Sequence, residues 1–165
     1  SGNIAVLSDV VRFRTTADVQ GLDPRSVGVG DVDGDGITDL AFGLLGQVAL
    51  VLGPFDTDVD LDDHVVADRG VDAILSVALI PDHVLVGDPD VAGMGGLWAV
   101  VPQDAPVDLG AGNRWFAPVW PQRALGTAAS HPLVDGTTAI WPVGAAAREH
   151  GAAQSGIVVL FDLDI

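Results

Sequence analysis

The sequence predicts an all-β fold built from repeated sheets, and two observations lead to this prediction. The first is an unusual charge: 22 Asp and one Glu stand against seven Arg and no Lys in 165 residues, for a formal net charge of −16. Asp favours turns, whereas Glu and Lys populate helix surfaces, so many loops and few helices are expected. The second observation is a series of apolar segments, bounded by glycine, that recurs along the chain.

Three kinds of strand are predicted in the same order in each repeat. A strand of small residues comes first, a strand ending in Gly follows, and a strand beginning with Gly comes third. The first kind is predicted at Val27–Gly30, Leu75–Leu79 and Leu125–Ala129, the second at Asp39–Gly43, His83–Gly87 and Ala139–Gly144, and the third at Gly46–Leu52, Gly96–Val101 and Gly156–Phe161, with a further copy at Gly2–Leu7. The repeat length of about 45 to 60 residues is that of a four-stranded β-propeller blade.

The fourth, outer strand of each blade is less regular. Its candidates are Val59–Val66 and the segment Val107–Phe116, because polar and charged residues on an edge strand discourage pairing with other chains. The N-terminal segment Val10–Thr16 has the same character, and the third repeat ends at Ile165 without an outer strand. We therefore expect the N-terminal strand to complete the blade formed by the C-terminal end.

The repeats divide one predicted domain, residues 1–165, into a closing outer strand (1–26), blade 1 with an acidic loop (27–72), blade 2 (73–122) and blade 3 (123–165). About three blades per chain cannot easily close a ring, since propellers have roughly four to eight. The chain is then either a fragment of a longer propeller or half of a six-bladed ring. Because an open blade face would expose a large apolar surface, we predict a homo-oligomer, most simply a dimer.

The densest group of carboxylates lies in the loop of blade 1, residues 31–39. A calcium loop takes side-chain ligands from positions 1, 3 and 5, a backbone carbonyl from position 7 and a further acid beyond. The residues at these places are Asp31, Asp33, Asp35, Ile37 (through its carbonyl) and Asp39. Gly36, at position 6, permits the positive φ that such a loop needs. The sequence thus predicts Ca²⁺ as a cofactor, and the alternative, an acidic turn without metal, is disfavoured by repulsion among four carboxylates.

The segment Val27–Gly43 resembles an FG-GAP repeat of the integrin alpha-subunit type. An EF-hand fits less well because position 12 is Phe42 rather than Glu and the flanking segments are predicted strands. The resemblance extends weakly over the second and third repeats, up to residue 165. It implies a propeller, seven-bladed in that family, with a calcium loop between the first two strands of a blade. The second repeat retains only Asp82 in this loop and the third only Asp135-Gly136, so neither is expected to bind an ion.

Tryptophans are the remaining candidates for ligand contact. Trp115 and Trp120 fall in a Pro-rich connection, where they can stack on a sugar or a partner side chain or else pack over a blade edge. Trp98 and Trp141 lie inside predicted strands and are expected in the core between blades. A zinc site at Asp62-Asp63-His64 and a hydrolytic carboxylate pair, Asp88 and Asp90, are weaker alternatives. The chain has no Cys, which excludes disulfides and thiolate chemistry.

These patterns favour a calcium-binding, non-catalytic propeller that acts as a protein-binding or adhesion-type module, and no enzymatic activity is expected. A lectin-like or polysaccharide-processing propeller is the alternative, and a purely structural propeller fragment is a further one. The negative charge repels phosphate backbones, so nucleic acid is not an expected partner. Apolar runs are too short for membrane insertion. Calcium and the family resemblance imply a secreted or cell-surface protein that binds a protein or glycan ligand.

Overall fold

Short strands make up nearly all of the regular structure. A computed structural model describes residues 11–16, 27–70, 75–88, 96–110, 125–129, 133–135, 138–146 and 156–164. Within these ranges the one helical element is a single 3-10 turn at Leu61–His64, and the predicted all-β class is confirmed. None of the described residues forms a helix long and apolar enough to cross a membrane.

The strands are numbered in chain order, and all are short except the last two. They are β1 Phe13–Arg14, β2 Val27–Gly30, β3 Asp39–Gly43, β4 Gln47–Val51, β5 Val59–Asp60, β6 Val65–Asp68, β7 Ser76–Ile80, β8 His83–Asp88, β9 Gly96–Val100, β10 Val107–Asp108, β11 Leu125–Ala129, β12 Leu133–Asp135, β13 Thr138–Ala146 and β14 Gly156–Asp164.

Three antiparallel sheets repeat one order of strands. They are β2-β3-β4, β7-β8-β9 and β11-β13-β14, and β12 pairs with β13 on the side where β11 lies. The nine strands are the nine that the three sequence repeats predict, in the predicted order. Residues 2–7, where a further copy is predicted, lie outside the described residues.

The outer strand of the first sheet differs from its prediction. The strand β6 pairs antiparallel with β4 and forms the fourth strand, whereas the predicted strand Val59–Val66 is broken by the 3-10 turn. The Asp60 side chain caps this turn by accepting a hydrogen bond from the Asp62 N–H at 3.1 Å. Because this cap interrupts the extended backbone, the predicted bounds are wrong.

The predicted outer strand of the second sheet joins the first sheet instead. Its described part, β10, pairs in parallel with β6 rather than with β9, while residues 111–116 of that prediction lie outside the described residues. The Leu109 N–H donates to the Asp68 carbonyl at 2.8 Å, and the Leu109 side chain is fully buried in the core between the two sheets. Burial of Leu109 accounts for this change of partner.

The N-terminal strand also has a different partner from the predicted one. The strand β1 pairs in parallel with β5, next to the first sheet, and not with the strands at the C-terminal end. Its Phe13 ring lies 5.0 Å from the Phe42 ring and 5.7 Å from the Phe55 ring, measured between centroids. Aromatic pairs at such separations stabilise beyond their burial, and they attract β1 to this face.

Glycines bring the first and second sheets together. The strand β2 packs against β7, and β3 also contacts β7. A Cβ atom at Gly28 would lie 3.1 Å from the Ala78 Cα, and one at Gly30 would lie 2.8 Å from the Leu79 Cβ. Side chains at these two positions would therefore hold the sheets apart, which explains the small residues of the first strand.

The main core lies between these two sheets. Side chains from both contribute, and Trp98, only 2% exposed, is among them, as predicted. The members are Val32, Ala41, Val48, Leu50, Ala67, Leu75, Val77, Leu79, Val84, Val86, Trp98, Val100 and Leu109. The third sheet approaches the second through β11, which contacts β7, β8 and β9.

The other face of the first sheet is covered in part. Phe42 and Val51 on this face pack with Leu61, and Phe13, Phe55 and Val59 lie against them, partly buried. Val29 is on the same face because it alternates with Gly28 and Gly30 along β2, and it is 43% exposed. This face is closed near β5 and open at the innermost strand.

We expect Gly30→Val to lower the free energy of unfolding by about 1–3 kcal/mol, because the new side chain overpacks the contact with Leu79. Urea denaturation followed by tryptophan fluorescence measures the change. The control is Val101→Thr, which keeps the side-chain shape at a residue that is 55% exposed, and it should alter stability by less than about 0.5 kcal/mol. Equal effects of the two variants would contradict the close approach of β2 to β7.

Candidate metal centre

The acidic loop connects β2 to β3, at the edge where these strands meet the second sheet. Asp31 follows β2 directly, and Asp39 is the first residue of β3. Val32 in the loop is only 3% exposed and belongs to the main core. Its carbonyl accepts a hydrogen bond at 2.8 Å from the N–H of Asp82, in the turn between β7 and β8. The loop is therefore anchored to both sheets.

Three carboxylates of this loop come together. One oxygen atom each from Asp31, Asp33 and Asp39 lies within 4.8 Å of the others. Asp39 is buried, Asp31 is partly buried and Asp33 is exposed, so the group opens from the core to solvent. These are hard oxygen donors, and their chemistry fits a hard cation such as Ca²⁺ or Mg²⁺. In the part of the chain that the structure describes, no other group of three or more His, Asp or Glu side chains comes this close together.

The loop backbone curls around the Asp31 carboxylate. The N–H groups of Gly34 and Gly36 donate to its two oxygens at 2.8 and 2.9 Å. Both glycines have positive φ, 77° and 83°, a conformation that a residue with a Cβ adopts only at a cost. The prediction for Gly36 is confirmed, and Gly34 shares the same requirement. Each Asp31 oxygen retains a second lone pair that can face a cation.

Asp39 holds the base of the loop. Its carboxylate is 1% exposed and accepts hydrogen bonds from the Val32 N–H at 2.8 Å and from the Gly53 N–H at 3.0 Å. It thus ties the start of the loop to the turn that follows β4. A buried carboxylate with two backbone donors is fixed in orientation before any ion binds.

Asp35 is the predicted side-chain ligand that is not among the three clustered carboxylates. Asp35 is exposed, lies outside the group, and its Oδ1 accepts from the Ile37 N–H at 2.7 Å. Asp33 makes a similar turn contact, accepting from the Asp35 N–H at 3.2 Å. Ile37 is exposed, with 39% of its surface accessible. The structure therefore brings together three of the four predicted side-chain ligands.

The remaining sequence candidates divide into two groups. Trp115, Trp120 and Asp90 lie outside the described residues, and of Trp141 the structure describes only the backbone. Asp88, in contrast, is 1% exposed, and its Oδ2 pairs with the Arg69 Nε at 2.8 Å. Because this carboxylate joins the end of β8 to the residue after β6, it serves packing between the first two sheets.

Sequence reasoning missed the roles of Asp58 and Asp62, which hold the N-terminal segment. Asp58 accepts from the Arg12 N–H at 3.1 Å and from the Arg14 Nη2 at 2.7 Å. Asp62 accepts from the Thr15 hydroxyl at 2.6 Å, from the Thr16 N–H at 2.9 Å and from the Thr16 hydroxyl. The sequence did contain a signal for this contact. Arg12-Phe13-Arg14 and Asp58-Val59-Asp60 both alternate charged, apolar and charged residues, and their charges are opposite, as expected for paired strands.

The hydrogen bonds to Asp62 determine how its contribution to stability depends on pH. The Thr15 hydroxyl, and then the hydroxyl and N–H of Thr16, stabilise the charged form of Asp62 and lower its pKa below the ordinary value of 3.8. A lowered pKa in the folded state means that the stabilisation is fully present above that ordinary value. It is lost only as the pH falls through the lowered pKa, so the contact persists at neutral pH.

Comparisons with protein families, with curated proteins and with solved structures found no match to this chain.

In metal-free buffer, we expect Asp39→Asn to lower the free energy of unfolding by about 1–3 kcal/mol, because the amide group leaves one buried backbone N–H unpaired. Chemical denaturation in EDTA measures this loss. Asp35→Asn is the matched control, since an exposed Asn oxygen can still accept from the Ile37 N–H, and its effect should be below about 0.5 kcal/mol. Equal stability of Asp39→Asn and the parent would contradict the role assigned to Asp39.

Proposed function

We propose that this chain is a calcium-stabilised β-propeller module of the FG-GAP type that acts as a non-catalytic protein-binding or adhesion module. The observation that carries the proposal is the meeting of the Asp31, Asp33 and Asp39 carboxylates in the connection between the first two strands of a sheet. This is the place where the resembling family has its calcium loop.

The arrangement of the sheets supports a propeller. Blades of a propeller are antiparallel four-stranded sheets placed side by side around an axis, with the first strands innermost. Here the first strand of the second sheet, β7, packs against the first strands of both neighbouring sheets, β2 and β11. The first sheet has the full complement of four antiparallel strands in the order β2-β3-β4-β6.

The proposal includes a homodimer that closes a six-bladed ring. Val29 supports it, because this residue lies on an innermost strand, on the face turned away from the second sheet, and is 43% exposed. A further sheet packing there would bury it. Leu52, after β4, is also an exposed large apolar residue of the first sheet, at 48%.

The loop is assigned to calcium rather than magnesium because Asp31, Asp33 and Asp39 stand at positions 1, 3 and 9, which are ligand positions of a calcium loop. Ca²⁺ accepts six to eight oxygens in variable geometry, whereas Mg²⁺ demands a near-ideal octahedron. Asp31, Asp33 and Asp39 would supply carboxylate oxygens, and the ion would neutralise their mutual repulsion. Extracellular calcium modules bind at about 10⁻⁴ to 10⁻³ M, so the proposal includes a secreted or cell-surface location.

The setting of Asp88 does not suit a carboxylate that hydrolyses polysaccharides. A hydrolytic carboxylate must reach substrate, but this one is buried and paired with Arg69. Removal of one partner of a buried ion pair costs about 3–5 kcal/mol, so its structural role is substantial.

Added calcium should raise the melting temperature of the parent, and EDTA should lower it. Mass action gives about 2.7 kcal/mol of stabilisation at a hundredfold excess over Kd. Asp33→Asn is the informative variant because its oxygen can still accept from the Asp35 N–H while the charge is lost. We expect it to match the parent in EDTA and to gain much less from calcium, as measured by differential scanning calorimetry. An identical parent melting curve with and without EDTA would rule out the calcium site.

Light scattering coupled to size exclusion should give a mass of twice 16.9 kDa for the parent. Val29→Arg places a charge where the second copy would pack, so this variant should elute as a folded monomer of 16.9 kDa. A parent that remains monomeric at high concentration, with and without calcium, would exclude the six-bladed dimer.

A further inference from the structure

The segment 11–16 lies beside the first sheet as a short extended peptide would, and it forms a separate two-stranded sheet with β5. It contributes β1, which pairs in parallel with β5 through the registers Phe13 with Val59 and Arg14 with Asp60. The Val59 N–H donates to the Arg12 carbonyl at 2.9 Å. Addition of an extended segment to an exposed strand is a common mode of peptide recognition, in which backbone bonds give affinity and side-chain pockets give specificity.

An aromatic slot receives the central side chain of this segment. Phe13 lies 5.0 Å from Phe42 in a tilted arrangement and 5.7 Å from Phe55 in an edge-to-face arrangement. The slot is backed by Leu61, which is 1% exposed and belongs to the same apolar cluster. It therefore selects an aromatic residue at this position.

Charged and hydroxyl side chains on either side of Phe13 also contact the surface. The two arginines on either side of Phe13 meet Asp58, with N–O distances of 3.7 Å for Arg12 and 2.7 Å for Arg14. These side chains are 66% and 63% exposed, so the ion pairs form at the surface and can exchange. Asp62 accepts hydrogen bonds from the hydroxyls of the next two residues, Thr15 and Thr16.

An open acidic cleft continues from this binding surface. Its volume is about 410 Å³, and it shares Phe55, Asp58, Val59 and Asp60 with the surface that holds the segment. Asp63 adds a further carboxylate to its wall. A bound peptide longer than the N-terminal segment would thus meet more negative charge, which complements additional basic residues.

We propose that the surface formed by Phe42 and residues 55–62 is a docking site for an extended peptide in which Phe is flanked by arginines and followed by two hydroxyl residues. Residues 11–16 occupy this site as an internal ligand. A tethered segment competes at an effective concentration in the millimolar range, so an external peptide binds well only when the internal one is weakened. The site is separate from the acidic loop, and its occupation does not require calcium.

The test uses the 165-residue chain with Phe13→Ala and Arg14→Ala, which weakens the internal ligand and leaves the docking surface intact. A fluorescein-labelled peptide with the sequence of residues 10–17 is titrated into this variant and into the parent, in EDTA, and anisotropy is recorded. We expect the peptide to bind the variant at least tenfold more tightly than the parent. A peptide with Ala at the Phe13 position should lose at least tenfold in affinity.

Variants of the surface complete the test. Adding Asp62→Ala should reduce peptide affinity at least tenfold, whereas Asp63→Ala, which removes the same charge one residue away, should change it less than threefold. If the double variant does not fold, Arg14→Glu alone opens the site, because this side chain is exposed. Equal binding to parent and opened chain, or equal binding of a scrambled peptide, would overturn the proposal.

Discussion

The close approach of β2 to β7 is the constraint on which the rest of the described structure depends. Two glycines on β2 allow the backbone of the first sheet to lie against Ala78 and Leu79 of the second. That distance permits a shared core in which Trp98 and Leu109 are buried between sheets rather than within one. With larger residues at positions 28 and 30, the sheets would separate and this core would open to water.

Buried carboxylates reinforce the same junction. Asp39 and Asp88 are each 1% exposed. Asp39 is the first residue of β3 and Asp88 is the last residue of β8, and these are the second strands of their sheets. One fastens the acidic loop to the turn after β4, and the other pairs with Arg69 at the edge of the first sheet. A buried charge is stable only when it is hydrogen-bonded or paired, so removing the partners of either carboxylate would destabilise the fold.

The order of strands in the three repeated sheets was predictable because it depends on local patterns, whereas the partners of β1 and β10 were not. Apolar runs bounded by Gly predicted all nine strands of the three repeated sheets, because the residues that favour a strand or a turn are close together in sequence. The partners of β1 and β10 depend on Phe13 and Leu109. Each of these side chains packs against residues that are distant in sequence. In the acidic loop, spacing identified Asp31, Asp33 and Asp39, but it could not separate them from Asp35, whose side chain turns back to the Ile37 N–H.

The position of the acidic loop explains how one ion could act on more than its own sheet. Val32 lies between two of the clustered carboxylates in sequence, donates to Asp39, and is buried in the core shared with the second sheet. Its carbonyl also accepts from Asp82, which adopts a positive φ of 63° in the turn between β7 and β8. A cation that orders Asp31, Asp33 and Asp39 would therefore fix Val32 against both sheets. One cation in this loop would then act on two neighbouring units, because the short turn of the second unit is joined to the loop by the hydrogen bond from Asp82.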